Sequence, residues 1–263
     1  MKIIVFQGGL GNQIFQYAFY RFQKKNYPQL KWIFASGNSH NGFELNKWFD
    51  VEMVHANFLW RIIFRIVHFL KVKGIHDYII DADANPEKNG IFISGYWQNK
   101  KYYQKHFLNF KKLKLSSQNE DIKKRMQSTQ SIAIHIRRGD YLQPPYDKIY
   151  SGICTIEYYQ HAIQIIKMHF DNPQFFIFSD DIEWVKENLK IPNSIFIDWN
   201  KGHNSIYDMY LMSHTKANII ANSTFSYWGA FLNSKTEMVI YPKKWFNSQY
   251  STPDIFPKTW LGI

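Results

Sequence analysis

Ser131-Ile132-Ala133-Ile134-His135-Ile136-Arg137-Arg138-Gly139-Asp140-Tyr141 is an apolar run that ends abruptly in two arginines, a glycine and an aspartate. Side chains alternate across a strand, so Ile132, Ile134, Ile136 and Arg138 share one face while Ala133, His135 and Arg137 share the other. A forked guanidinium matches a phosphate bidentately, and a histidine two positions earlier on the same face reaches the same ligand. The pattern therefore suits a phosphorylated or anionic partner. At this level the alternative stays open that the basic strand end is paired with its own acids.

Working outward from this strand, the second half of the chain alternates strand and helix. Strands are expected at Ser131–Ile136, Gln174–Phe178, Ser194–Ile197, Ala217–Ala221 and Met238–Tyr241, and helices at Thr155–Phe170, Ile182–Leu189, Asn204–His214 and Thr224–Asn233. That rhythm implies right-handed βαβ units, a parallel sheet and helices on both of its faces, an α/β class. Ligands in such sheets sit at the carboxyl ends of the strands. Arg137, Ser179-Asp180-Asp181 and Asn222-Ser223-Thr224 all fall there, so three separate stretches can converge on one crevice.

The first half opens with a strand, Lys2–Phe6, then Gln7-Gly8-Gly9-Leu10-Gly11-Asn12-Gln13, then an apolar-periodic helix through Ile14, Phe15, Tyr17, Ala18 and Phe22. A glycine turn between strand and helix suits a phosphate or a closely approaching sugar; a tight turn that simply needs glycines reads the same way. The order is not G-x-G-x-x-G, and no acid stands at the following strand, Leu30–Ala35, as a ribose clamp requires. Beyond it the chain is irregular, with a short strand at Ile91–Ser94 followed by Gly95-Tyr96-Trp97-Gln98. A polar helix, Gln118–Ser128, leads into the second half, so the expected domains are 1–128 and 129–263.

Composition bounds the function. The chain has 263 residues, 45% hydrophobic and 18% aromatic, with Cys154 as its one cysteine, which excludes a disulfide framework and fits a reducing compartment. Met1–Phe6 is too short an apolar run for a signal-peptide core, and no run approaches the roughly 18 apolar residues of a spanning helix, so a cytoplasmic location is expected. The formal charge of +11 attracts nucleic acid, anionic membranes and phosphorylated small molecules alike. Phe58–Lys73 interleaves large apolar residues with Arg61, Arg65, His68, Lys71 and Lys73. It reads as a basic amphipathic helix, either an ordinary domain helix with a wide buried face or one that rests on the inner face of a membrane.

Two further stretches carry candidate chemistry. Asn222-Ser223-Thr224-Phe225-Ser226 joins a buried strand to a helix start, where hydroxyls cap and free amides bind anions. Asp208, in Tyr207-Asp208-Met209-Tyr210-Leu211-Met212-Ser213, stands near a helix start, either as an ordinary first-turn acid or as a carboxylate facing a base edge. Together, GGLGNQIFQYAF at Gly8–Phe19, HIRRGDY at His135–Tyr141, FSDD at Phe178–Asp181, and DMYLMS followed by ANSTFSYWGAFLN at Ala221–Asn233 resemble glycosyltransferase family 11, the α-1,2-fucosyltransferases. The four motifs run in order over nearly the whole chain.

The resemblance implies a GT-B-like fold, two Rossmann-type domains facing a cleft, with the nucleotide sugar held mainly by the C-terminal domain. It implies GDP-fucose as donor and a terminal β-galactoside as acceptor, joined through the 2-hydroxyl with inversion. Arg137 matches the arginine that holds the diphosphate, His135 and Asp208 match guanine contacts, Asn222 and Ser223 to Ser226 match the phosphate-holding turn, and Gly9, Gly11 and Asn12 match the opposite side of the cleft. Asp140 is the nearest candidate base but equally an orienter of Arg137 or Arg138. Asp180 and Asp181 resemble a metal-binding acid pair, yet Arg137 supplies a counter-charge, so no metal and no cofactor are expected. A basic nucleic-acid-binding protein and a GDP-binding module without transferase activity are the rival readings.

Overall fold

The computed structural model describes residues 1–35, 41–72, 79–80, 90–247 and 251–263. The chain divides into two compact units, Met1–Lys111 and Lys112–Ile263. The first holds β1 (Ile3–Phe6), α1 (Leu10–Lys24), β2 (Lys31–Phe34), α2 (Leu45–Trp48), α3 (Phe58–Val72), β3 (Ile79–Ile80) and β4 (Phe92–Ser94). Its sheet is parallel with the order β2-β1-β4-β3. Ile3 and Val5 of β1, Ile33 of β2 and Phe92 of β4 form a buried cluster with Phe64 of α3. Lys73, the expected last residue of that helix, and much of the irregular stretch beyond it lie outside the described residues.

The second unit holds α4 (Ser117–Ser128), β5 (Ser131–Ile136), α5 (Asp147–Tyr150), α6 (Ile156–His169), β6 (Gln174–Ser179), α7 (Ile182–Asn188), β7 (Ser194–Ile197), α8 (Ile206–Met212), β8 (Ala217–Ile219), α9 (Thr224–Phe231), β9 (Met238–Tyr241) and β10 (Leu261–Gly262). All neighbours in its sheet are parallel, in the order β10-β9-β8-β5-β6-β7. α4, expected as the end of the first domain, belongs to this unit. Its Met126 is buried with Ala133, Phe176 and Phe178 of the sheet, and Asn119 bonds Asn200, so the division falls before the helix.

Both faces of this sheet are covered, as strands apolar on both of their faces demand. Ile132, Ile134 and Ile136 face α6 and α7, where Tyr159, Ala162, Ile166 and Val185 close the core. Ala133 faces the other way with Phe176, Phe178, Leu211, Met212 and Phe225, under α4, α8 and α9. Three helix starts are written locally. Thr155 accepts from the Tyr158 N–H, Ser116 from that of Asn119 and Asp181 from that of Trp184. α9, by contrast, starts with no side-chain cap.

Candidate active site

Strand order locates the crevice. β5 connects outward to β6 and β7 on one side, and the chain then returns to place β8, β9 and β10 on the other, so the order reverses between β5 and β8. Ligands of open α/β sheets bind outside the carboxyl ends of the two strands at such a reversal. Arg137 to Tyr141 leave the carboxyl end of β5, and Asn222 to Ser226 come after that of β8.

Arg137 leaves the end of β5 with both arms of its fork engaged. Nη2 donates to Asp140 Oδ1 at 2.7 Å and Nη1 pairs with Asp180 Oδ2 at 3.0 Å. The ring of Tyr141 lies 5.6 Å from the guanidinium carbon. Burial works against the charge, but the two carboxylates outweigh it and the pKa of Arg137 is raised. Arg138, one position on, turns the other way. Its Nε pairs with Asp181 Oδ2 at 3.0 Å and its guanidinium lies 3.5 Å over the Trp184 ring. Arg137 is thus paired with acids of this chain at a strand reversal, the place where ligands of open α/β sheets bind.

Asp180 organises the strand end. Besides holding Arg137, its Oδ1 accepts the Arg138 backbone N–H at 2.9 Å. It fits only because residue 139 is glycine: a Cβ there would stand 2.5 Å from Asp180 Oδ2. Tyr141 ties this turn to the opposite side of the crevice. Its hydroxyl donates to the Asn222 carbonyl at 3.0 Å, it hydrogen-bonds Ser223, and its ring stacks on Tyr150 at 4.5 Å.

His135 is buried on the Ala133 face, its ring 5.8 Å from that of Phe225 at the start of α9. Burial first, and then the charge of Arg137, push its pKa down to about 3. The imidazole is therefore neutral, with one donor and one acceptor nitrogen, and its Nδ1 has no partner among the described residues. Asn218 of β8 is the register partner of Ala133 and so shares that face. It is fully buried, and neither amide atom is paired among the described residues. Buried polar atoms are nearly always satisfied, so two orphans on one face beside the reversal mark a place for ordered water or a polar ligand.

The start of α9 divides the remaining candidates. Its uncapped first turn leaves the N–H groups at Thr224, Phe225 and Ser226 without a side-chain acceptor. The side chains of Asn222 and Ser226 are spent elsewhere. Asn222 Nδ2 donates to the Tyr150 and Trp245 carbonyls and its Oδ1 accepts from Cys154, while Ser226 Oγ donates to the Ala221 and Ser223 carbonyls. These two brace the turn rather than reach for a ligand. Asp208, half-buried in the first turn of α8, accepts from Asn200 Nδ2 at 2.8 Å, and desolvation pushes its carboxyl up to about 8.

In the first unit the strand order reverses between β1 and β4. The turn after β1 needs glycine at Gly8, where φ is +77° and a Cβ would meet Asn12 Nδ2 at 3.0 Å. Gly9 precedes α1, and its carbonyl accepts the Asn12 and Gln13 N–H groups; Gly11 lies buried inside that helix. Asn12 Oδ1 accepts from Gln98 Nε2 at 3.2 Å. Trp97 is buried, stacked on Phe19 at 3.7 Å, whereas Tyr96 is exposed beside Gly8.

The family model for glycosyl transferase family 11 matches residues 1–263. The chain belongs to glycosyl transferase family 11. It is 33% identical to an alpha-1,2-colitosyltransferase of Escherichia coli over all of this chain and 99% of that protein. It is 28% identical to the O-antigen biosynthesis glycosyltransferase WbnK of Escherichia coli, over 91% of this chain and 93% of that one. Among solved structures, a NodZ alpha-1,6-fucosyltransferase soaked with GDP-fucose superposes with a TM-score of 0.59 at 11% identity, covering 95% of this chain and 97% of the other. At that identity the likeness is one of fold, and it agrees with the GT-B-like class expected from the sequence.

For this family 11 glycosyltransferase, sequence reasoning missed Asp180 as the anchor of Arg137, Gly139 as the space that admits it, and Tyr141 as the tie to Ser223. The signal for Asp180 was legible in part, since the carboxyl end of β6 lies beside that of β5 and an acid there meets the residues that leave β5. Asp180 and Asp181 face arginines in this structure, each with its own partner. Among the described residues no group of three or more His, Cys, Asp or Glu side chains is arranged to hold a metal ion.

Proposed function

We propose that this glycosyltransferase moves L-fucose from GDP-β-L-fucose to the 2-hydroxyl of a terminal β-galactoside, inverting the anomeric centre in one displacement. The observation that carries the reading is Arg137 presented at the strand reversal beside the uncapped start of α9. A diphosphate leaving group develops charge as the sugar carbon–oxygen bond breaks, and preorganised donors at that point lower the barrier, about 3 kcal/mol for a single well-placed donor. Arg137 and the α9 amides near Ser223 and Thr224 are such donors. The unpaired His135 Nδ1 and the Asp208 carboxyl are the groups offered to the guanine.

Arg137 enters this reaction already paired. Asp180 is held by the Arg138 N–H and wedged against Gly139, while Asp140 rides on a short turn, Gly139–Leu142. The diphosphate therefore displaces Asp140 and leaves Asp180 as the anchor. Asp140, released beside the reacting centre, accepts the proton that the acceptor hydroxyl loses as its oxygen bonds the anomeric carbon and GDP departs with the electron pair. No metal takes part in this scheme, because the guanidinium supplies the counter-charge. EDTA should leave the rate unchanged; loss of activity on EDTA and its return with Mn²⁺ would overturn that part.

A second donor is favoured by the 33% identity to the colitosyltransferase. Colitose is L-fucose without its 3-hydroxyl, so the two readings differ in one polar group. The test is a transfer assay with GDP-fucose and GDP-colitose against a panel of β-galactosides, with linkage analysis of the product. Fucose on O2 is expected. A thermal shift with GDP, GMP, UDP and NAD accompanies it, since selective binding stabilises the native state. Stabilisation by UDP and not by GDP refutes the guanine reading, and GDP binding without transfer to any acceptor supports the binding-module alternative.

A further inference from the structure

Helix α3 has two apolar sides, and one of them joins the buried cluster of the first sheet. Phe64 lies in the buried cluster of the first sheet, with Trp60 and Val67 packed against it. At about 100° per residue, Phe58, Leu59, Ile62, Ile63, Ile66 and Phe69 fall in a separate arc roughly 140° wide. These six are 67%, 61%, 40%, 39%, 54% and 60% exposed, respectively. Arg65, Arg61 and His68 follow along one edge of that arc, and the helix carries no Asp or Glu. An apolar strip of this extent on a surface marks an interaction site.

We propose that this face of α3 docks on an anionic phospholipid bilayer, with the apolar strip inserted at the headgroup boundary and Arg61 and Arg65 against lipid phosphates. Charge decides the occupant. The strip has a positive edge with no acid on the helix, in a chain of formal charge +11, and anionic lipid complements both. A second copy would instead bring the same arginines against each other. The helix lies on the surface of the first unit rather than through a membrane, since no helix among the described residues is long and apolar enough to cross one. The proposal does not depend on the identity of the sugar donor.

The test is co-sedimentation of the full chain with vesicles of phosphatidylcholine alone and of phosphatidylcholine with about 30% phosphatidylglycerol. Partitioning to the anionic vesicles should exceed that to the neutral ones by about tenfold or more and fall as salt rises to about 0.5 M. Phe58→Ser/Leu59→Ser/Ile66→Ser should lower it about tenfold or more, with the wild-type circular dichroism spectrum kept, because more than half of each of these side chains is exposed. Should that variant not fold, Arg61→Gln/Arg65→Gln tests the same surface by abolishing the preference for anionic vesicles. No association of the wild type with anionic vesicles overturns the proposal. So does binding unaltered in the variants, or a wild-type dimer by light scattering that the apolar substitutions make monomeric, which assigns the face to a second copy.

Discussion

Gly139→Ala places a methyl group 2.5 Å from Asp180 Oδ2, where ordinary contact begins at 3.4 Å. The carboxylate must therefore withdraw by about 0.9 Å. Its bonds to Arg137 Nη1 and to the Arg138 N–H are now 3.0 and 2.9 Å, so a withdrawal of that size takes both past hydrogen-bond length. Each charge-assisted bond contributes about 1.5–3 kcal/mol. Because Asp180 keeps a quarter of its side chain in water, rehydration offsets part of the loss, and a net destabilisation of about 2 kcal/mol is expected. For a unit of this size that lowers Tm by about 4–8 °C. The kinetic effect expected from the proposed mechanism is larger: the withdrawal frees Arg137 from its anchor, and an arginine misplaced by about 1 Å at the leaving group costs on the order of 10²-fold in kcat/KM. The assay is initial-rate kinetics and thermal melting of Gly139→Ala, Asp180→Ala and the double variant. If the clash with Asp180 is the cause, the alanine at 139 costs little once Asp180 is gone. Wild-type kinetics in Gly139→Ala, or an equal cost with and without Asp180, refutes the reasoning.

Contrasting the two arginines separates catalysis from stability. Arg137→Lys, which keeps the charge but loses the fork, should drop kcat about 10²–10³-fold with the fold intact, measured by rates and circular dichroism. Arg138→Ala should instead cost about 1–2 kcal/mol of stability through the lost Trp184 stacking and Asp181 pair, with a much smaller effect on rate. Asp208, with its carboxyl pushed up to about 8, is mostly protonated at pH 7 in the free protein. If it pairs with guanine N–H donors it must ionise, so GDP binding at pH 7 should release close to one proton, read by calorimetry in buffers of different ionisation enthalpy. Asp208→Asn should abolish that release; its persistence in the variant would exclude Asp208. A group whose folded pKa is raised this way lowers stability as pH climbs from its ordinary value near 4 through 8, so the same variant should melt higher than the wild type by more at pH 8 than at pH 5.

Much of the second unit was legible because its elements are written locally. β5 and β7 lie where alternation and β-branched residues put them, and α6 begins at the Thr155 cap. Shorter elements were not legible. β10 is two residues that pair with Ile240 and Tyr241, and nothing in Leu261-Gly262 announces a strand apart from that partner. The expected strand Ala217–Ala221 stops at Ile219, since past that point the chain turns to start α9. At the site, Arg137 and His135 shared a face as period-two geometry required, but nothing local said that Asn222 and Ser226 would spend their side chains on neighbouring carbonyls.

By itself the sequence determined the α/β class, the family, and the face of β5 on which the arginine and histidine stand, because alternation and helical period are properties of a few consecutive residues. Only the tertiary structure decided which acids hold that arginine. Asp180 comes to Arg137 from a different strand, across a glycine whose missing side chain is the space it fills, and Tyr141 reaches Asn222 and Ser223 from the far side of the strand reversal. Such pairings arise from strand order, which brings distant segments to one sheet edge.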